Sequence, residues 1–230
     1  MINRVLAVGM DMDWRLEMVN KIKESVAHVE HPVILDVATG TADVALLLAK
    51  EIPSSTVLGV DPSDNMLAVG RQKIQQRGQG SQVELQLADA MDFSSVPASS
   101  YDAATMAFGI RNVPNRETAL CRIHRSLKPN SRFSILEFSE PDESAGVLGA
   151  GARLFIRYVV PFLGGILSGA PRQYWHLQNS IKDFPTPAQF REIIESVKCD
   201  DAGNGFRFDE LVQLNFGSVQ LYVTTALRAE

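Results

Sequence analysis

The chain has 230 residues, 45% hydrophobic and 21% charged, which suits one globular domain with a sizeable core and excludes a disordered chain. With 22 Lys+Arg against 27 Asp+Glu, the formal charge of -5 disfavours a nucleic-acid partner. No apolar run reaches the about 18 residues of a membrane span, no His/Cys grouping has metal-ligand spacing, and the two distant cysteines, Cys121 and Cys199, suit a reducing compartment, so neither a spanning helix nor a metal is expected.

In chain order, Met10 to Val26 comes first, with Trp14, Met18, Ile22 and Val26 at helical spacing; this predicts a helix within residues 1–30 that caps the fold. Short apolar runs follow at Val33 to Val37, Thr56 to Val60, Val83 to Leu87, Tyr101 to Ala107 and Arg132 to Phe138. Between them, helices are predicted over Asp43 to Ile52, Ser63 to Gln76 and Asn115 to Leu127, with Ser63 and Asn115 as caps. That alternation predicts an α/β fold with a mostly parallel sheet covered by helices on both faces. Residues 144–180 interrupt the rhythm, and their glycine-broken apolar stretch from Leu154 to Leu167 reads as a helical substrate lid. The runs Phe206 to Leu214 and Gly217 to Leu227, joined at Asn215, read as an antiparallel hairpin that closes the sheet edge and completes seven strands.

Val33 to Asp43 joins a buried strand to a helix through small residues, which let a ligand approach the backbone in the crevice at the strand end. Gly40 is the only glycine there, so the fingerprint of a nicotinamide dehydrogenase is missing. The second strand ends in Asp61, placed to accept hydrogen bonds from both hydroxyls of an unphosphorylated ribose. The third is followed by Asp89 and Ala90, suited to an adenine amino group and ring nitrogen. Together the three strand ends describe an adenosine site.

The segment Asp36-Val37-Ala38-Thr39-Gly40-Thr41-Ala42 matches the acidic and small-residue pattern of the seven-strand, Rossmann-like S-adenosylmethionine-dependent methyltransferases, and the chain resembles that family. Ala38 and Ala42 stand where the pattern has glycine, so a slightly shifted turn with binding retained is expected. Phe108-Gly109-Ile110-Arg111-Asn112-Val113, Leu136-Glu137-Phe138-Ser139 and the spaced Tyr174, Leu177, Ser180, Ile181, Phe184 and Pro185 narrow the resemblance. They are similar to the ubiquinone and menaquinone biosynthesis C-methyltransferases, which methylate demethylmenaquinol or a methoxy-polyprenyl-benzoquinol. Asn3 to Leu6, Gly9-Met10-Asp11 and Trp14-Arg15 extend the match over essentially the whole chain.

This resemblance implies S-adenosylmethionine as cofactor, held by Asp36, Ala38, Gly40, Thr41, Asp61, Pro62, Met66, Asp89, Ala90, Ala107 and Phe108. Many relatives have serine at Ala107, so one contact is expected to be weaker. It also implies that Arg111 stabilises a developing quinolate at the cofactor-facing edge and that Asn112 orients a ring oxygen. Three candidates for the base stay open: His176, where relatives often have tyrosine, Asp89 unless it is occupied by the adenine, and a water held by Arg111. Phe155, Val159, Phe162 and Tyr174 are expected along an oily groove for a prenylated hydroquinone. The expected setting is the cytoplasm or an organellar matrix, peripheral to a quinone-containing membrane. A homodimer and a quinone-biosynthesis complex both stay open. A different reading is a non-catalytic methyltransferase-like subunit of such an assembly, which the retained Asp36, Asp61, Asp89 and Arg111 disfavour.

Overall fold

Helix α1 (Asp11–Ser25) buries Trp14, Met18 and Ile22 on one face, and Val26 follows in register just beyond its end, so the sequence stripe is the face that meets the core. The computed structural model describes residues 11–139 and 183–228; the expected lid lies outside them. Five parallel strands follow α1: β1 (Val33–Val37), β2 (Thr56–Asp61), β3 (Val83–Leu87), β4 (Tyr101–Ala107) and β5 (Leu127–Phe138). Between them run α2 (Asp43–Glu51), α3 (Asp64–Arg77) and α4 (Arg116–Ser126).

Both expected caps form. Ser63 Oγ accepts from the Met66 amide at 3.4 Å and Asn115 Oδ1 from the Thr118 amide at 2.9 Å, each satisfying an otherwise orphaned donor. Strand β5 starts five residues before the predicted Arg132, because Leu127 pairs with Tyr101 through a polar stretch that carries no strand pattern.

Helix α5 (Pro187–Ser196), opened by a Thr186–Gln189 capping box, leads to β6 (Phe206–Leu214) and β7 (Val219–Ala226). The sheet order is β3-β2-β1-β4-β5-β7-β6, with β7 antiparallel to both its neighbours. All eight residues of β7 are buried, which suits its place inside the sheet and leaves β6 as the edge. One core layer gathers Met18, Ile22, Leu48 and Ile74 from α1, α2 and α3; the other gathers Ile123, Phe133, Phe190 and Tyr222.

The cysteines require a correction. Distance in sequence offered no reason to pair Cys121 with Cys199, yet α4 and the segment after α5 bring their Cα atoms to 4.6 Å and join them in a disulfide. Among the described residues no helix is long and apolar enough to cross a membrane.

Candidate active site

The ends of β1, β2, β3 and β4 open into a single cavity of about 590 Å³, the crevice that parallel α/β sheets offer to ligands. The loop after β1 forms its floor. Ala38, Gly40 and Ala42 adopt left-handed φ of 54°, 57° and 62°, so both alanines take the backbone that the family pattern assigns to glycine, at roughly 1–2 kcal/mol each. Neighbouring glycines make room for that loop. A Cβ on Gly59 would lie 2.8 Å from Thr39 Oγ1, and one on Gly109 would lie 2.6 Å from the Ala38 Cβ.

Asp36 is the knot of the loop. Its Oδ2 accepts from Thr39 Oγ1 at 2.6 Å and its Oδ1 from Thr105 Oγ1 on β4 at 2.7 Å. Burial pushes its carboxyl up to about 6, against the opposing pull of those two hydroxyls. The Thr39 amide donates to the Val60 carbonyl at 3.0 Å and the Gly40 amide to Asp61 Oδ2 at 2.9 Å, so β1 and β2 hold the turn jointly. Asp61 Oδ1 takes the Ser63 amide at 2.9 Å. Each Asp61 oxygen thus spends one lone pair on the backbone and keeps another for a ligand hydroxyl.

Pro62 and Met66 continue the wall beyond Asp61, and a Cβ on Gly40 would stand 3.4 Å from the Met66 Cε, narrowing the floor. Lys73 donates to Thr41 Oγ1 and Asp43 Oδ1, both at 2.7 Å. Desolvation raises the Asp43 carboxyl, but the bond to Lys73 and its charge outweigh that and hold it below the ordinary range. Past β3, exposed Asp89 and buried Ala90 line the cavity, with Asp89 Oδ1 accepting from the Met91 amide at 2.9 Å.

At the β4 side, Ala107 and Phe108 form the wall. Phe108 has a left-handed φ of 57°, stacks on Phe138 with ring centroids 4.7 Å apart, and carries the Arg15 guanidinium 5.4 Å above its ring. Arg15 and Asp11 also line the cavity. Both residues belong to the segments that extend the family match, but neither was expected in the site, although Asp and Arg four apart on one helix was a visible signal.

The turn Ile110–Asn112 separates two residues expected to act together. Asn112 lines the cavity. Arg111 does not: its guanidinium is buried, ion-paired to Glu137 of β5 and stacked over Phe138. The expected cofactor-facing guanidinium is therefore corrected to an interior one, because the one-residue step through the 3₁₀ turn sends neighbouring side chains to opposite sides. His176, Tyr174, Phe155, Val159 and Phe162 lie outside the described residues. All eleven residues expected to hold the cofactor line this one cavity. A paired-acceptor carboxylate beside a floor of small residues fits an adenosine group.

Comparison with known proteins agrees with that chemistry. The family model described as the ubiE/COQ5 methyltransferase family matches residues 1–223. A demethylmenaquinone methyltransferase from Thermus thermophilus is 35% identical, over 97% of this chain and 94% of its own length. A ubiquinone/menaquinone biosynthesis C-methyltransferase from Geotalea daltonii is 36% identical, over 96% of this chain and 88% of its own. Among solved structures, a SAM-dependent methyltransferase from Aquifex aeolicus shares the fold with a TM-score of 0.61 at 16% identity, covering 93% of each chain. With the family model matched over nearly its whole length and relatives above 30% identity, the chain belongs to the ubiE/COQ5 methyltransferase family.

Proposed function

We propose that this protein transfers the methyl group of S-adenosylmethionine to a ring carbon of a prenylated hydroquinone in menaquinone or ubiquinone biosynthesis. The observation that carries the reading is the cavity over the β1 loop, which gathers Asp36, Asp61, Asp89 and Ala90 from successive strand ends. The names of the relatives supply the substrate class. When bound, the cofactor supplies an electrophilic sulfonium methyl.

The protein's own part is placement and charge. Asp61 holds the ribose hydroxyls, and Asp89 with the Ala90 amide holds the adenine. Asn112, on the cavity wall beyond β4, orients a ring oxygen so that one ring carbon faces the methyl; such positioning supplies much of the catalysis in transfers of this kind. Phe108 and Ala107 close that wall against water. Arg111 acts indirectly, by fixing through Glu137 the turn that presents Asn112.

Incubation with methyl-labelled S-adenosylmethionine and either reduced demethylmenaquinone or a reduced polyprenyl benzoquinone tests this reading. Label on a ring carbon of one of them is expected. Transfer to neither would overturn it.

A further inference from the structure

We propose that Asp11 and Arg15 form the subsite for the amino-acid end of the cofactor, Asp11 accepting from its α-ammonium and Arg15 donating to its α-carboxylate. The inference rests on the S-adenosylmethionine reading above.

The pair is built into the first turn of α1. Arg15 Nη1 donates to Asp11 Oδ2 and, at 3.2 Å, to the Asp11 carbonyl. Asp11 is 3% exposed and Arg15 9%, and what remains accessible belongs to the cavity wall they share with Asp36 and Asp61. Asp11 Oδ1 is buried with no hydrogen-bond partner among the described residues. A buried carboxylate oxygen without a donor is costly, so a purely structural ion pair would be expected to use it. The cavity is where a donor can arrive. Among the described residues Arg15 donates only through Nη1, to Asp11, leaving the Nε and Nη2 side of its fork for a second acceptor, and the Phe108 face holds the guanidinium in place.

Sheet order gives the direction. Because β3, β2, β1 and β4 are adjacent in that sequence, Asp89 after β3, Asp61 on β2, Asp36 on β1 and Phe108 after β4 lie in a row. A ligand with adenine at Asp89 and ribose at Asp61 extends its remaining chain toward Phe108, where Arg15 sits. That chain ends in one cation and one anion, and the subsite offers one free anionic acceptor and one cationic donor.

Calorimetry with the full chain tests the subsite using two ligands that share the thioadenosine group: S-adenosylhomocysteine, which has the amino-acid end, and 5′-methylthioadenosine, which lacks it. The wild type should bind the former at least roughly 10-fold more tightly, the scale of hydrogen bonds to charged groups. Asp11→Asn and Arg15→Lys should each weaken S-adenosylhomocysteine by roughly 10-fold while leaving 5′-methylthioadenosine within about 2-fold. Equal losses for both ligands, or equal wild-type affinities, would overturn the subsite while leaving the cofactor reading standing. Failure of the wild type to bind either ligand would overturn both. If a variant does not fold, the wild-type comparison decides alone.

Discussion

Arg111 and Glu137 form an ion pair buried on both sides, in which Glu137 also receives the Arg111 amide at 3.2 Å and the Phe138 amide at 2.8 Å. Three donors from two elements converge on one carboxylate, which locks the turn after β4 to the end of β5. Removing one partner of such a pair leaves an uncompensated interior charge. Arg111→Ala is therefore expected to lower unfolding free energy by about 3–5 kcal/mol in urea titration, and its loss of turnover should follow from misplacement of Asn112. A variant of wild-type stability with turnover reduced a hundredfold would put the guanidinium back in the chemistry.

Asp61 ties the loop to β2 and, in the proposed function, also holds the ribose. Asp61→Ala should weaken S-adenosylmethionine binding by about 1.5–3 kcal/mol, the scale of hydrogen bonds to a charged group. Asp61→Asn should do nearly as badly despite its similar shape. Both oxygens accept backbone amides, from Gly40 and Ser63, and an Asn amino group would oppose one of them, donor against donor. Calorimetric affinity near wild type for the Asn variant would show that these ties are dispensable.

Asp36 carries a pH signature. Its folded carboxyl titrates at about 6, above the ordinary 3.8, so the folded state favours its protonated form. Its contribution to stability is thus full below about pH 4 and is lost as pH rises to 6, a change of about 3 kcal/mol at most. Relative to wild type, Asp36→Asn should gain stability across that window and hold a constant difference above it. A difference independent of pH between 4 and 7 would mean that Asp36 ionises freely.

The Cys121–Cys199 disulfide closes a span of 78 residues, long enough that the chain-entropy account assigns it about 4.5 kcal/mol. The double variant Cys121→Ser/Cys199→Ser should lose roughly 2–4 kcal/mol in urea. Wild type in excess dithiothreitol should match it. If reductant leaves the wild-type midpoint unchanged, the cross-link adds nothing to stability.

The sequence by itself determined most of the elements and which strand-end residues line the cavity. Strands β1, β3, β4 and β6 begin and end where their sequence runs do: β1 and β4 because burial on both faces demands continuous apolar residues, and the edge strands β3 and β6 because their apolar residues are interleaved with polar ones. The loop residues and Asp61, Asp89 and Ala90 were legible because they follow strand ends, and parallel strands put those ends side by side. Only the tertiary structure decided which way Arg111 faces, since adjacent residues in a 3₁₀ turn diverge and the partner, Glu137, lies 26 residues away. The pairing of Cys121 with Cys199 and the position of Asp11 and Arg15 on the cavity wall are likewise matters of packing: α4 against the segment after α5, and α1 against Phe108. Such contacts join side chains from elements distant in the chain, and no local pattern of residue types encodes them.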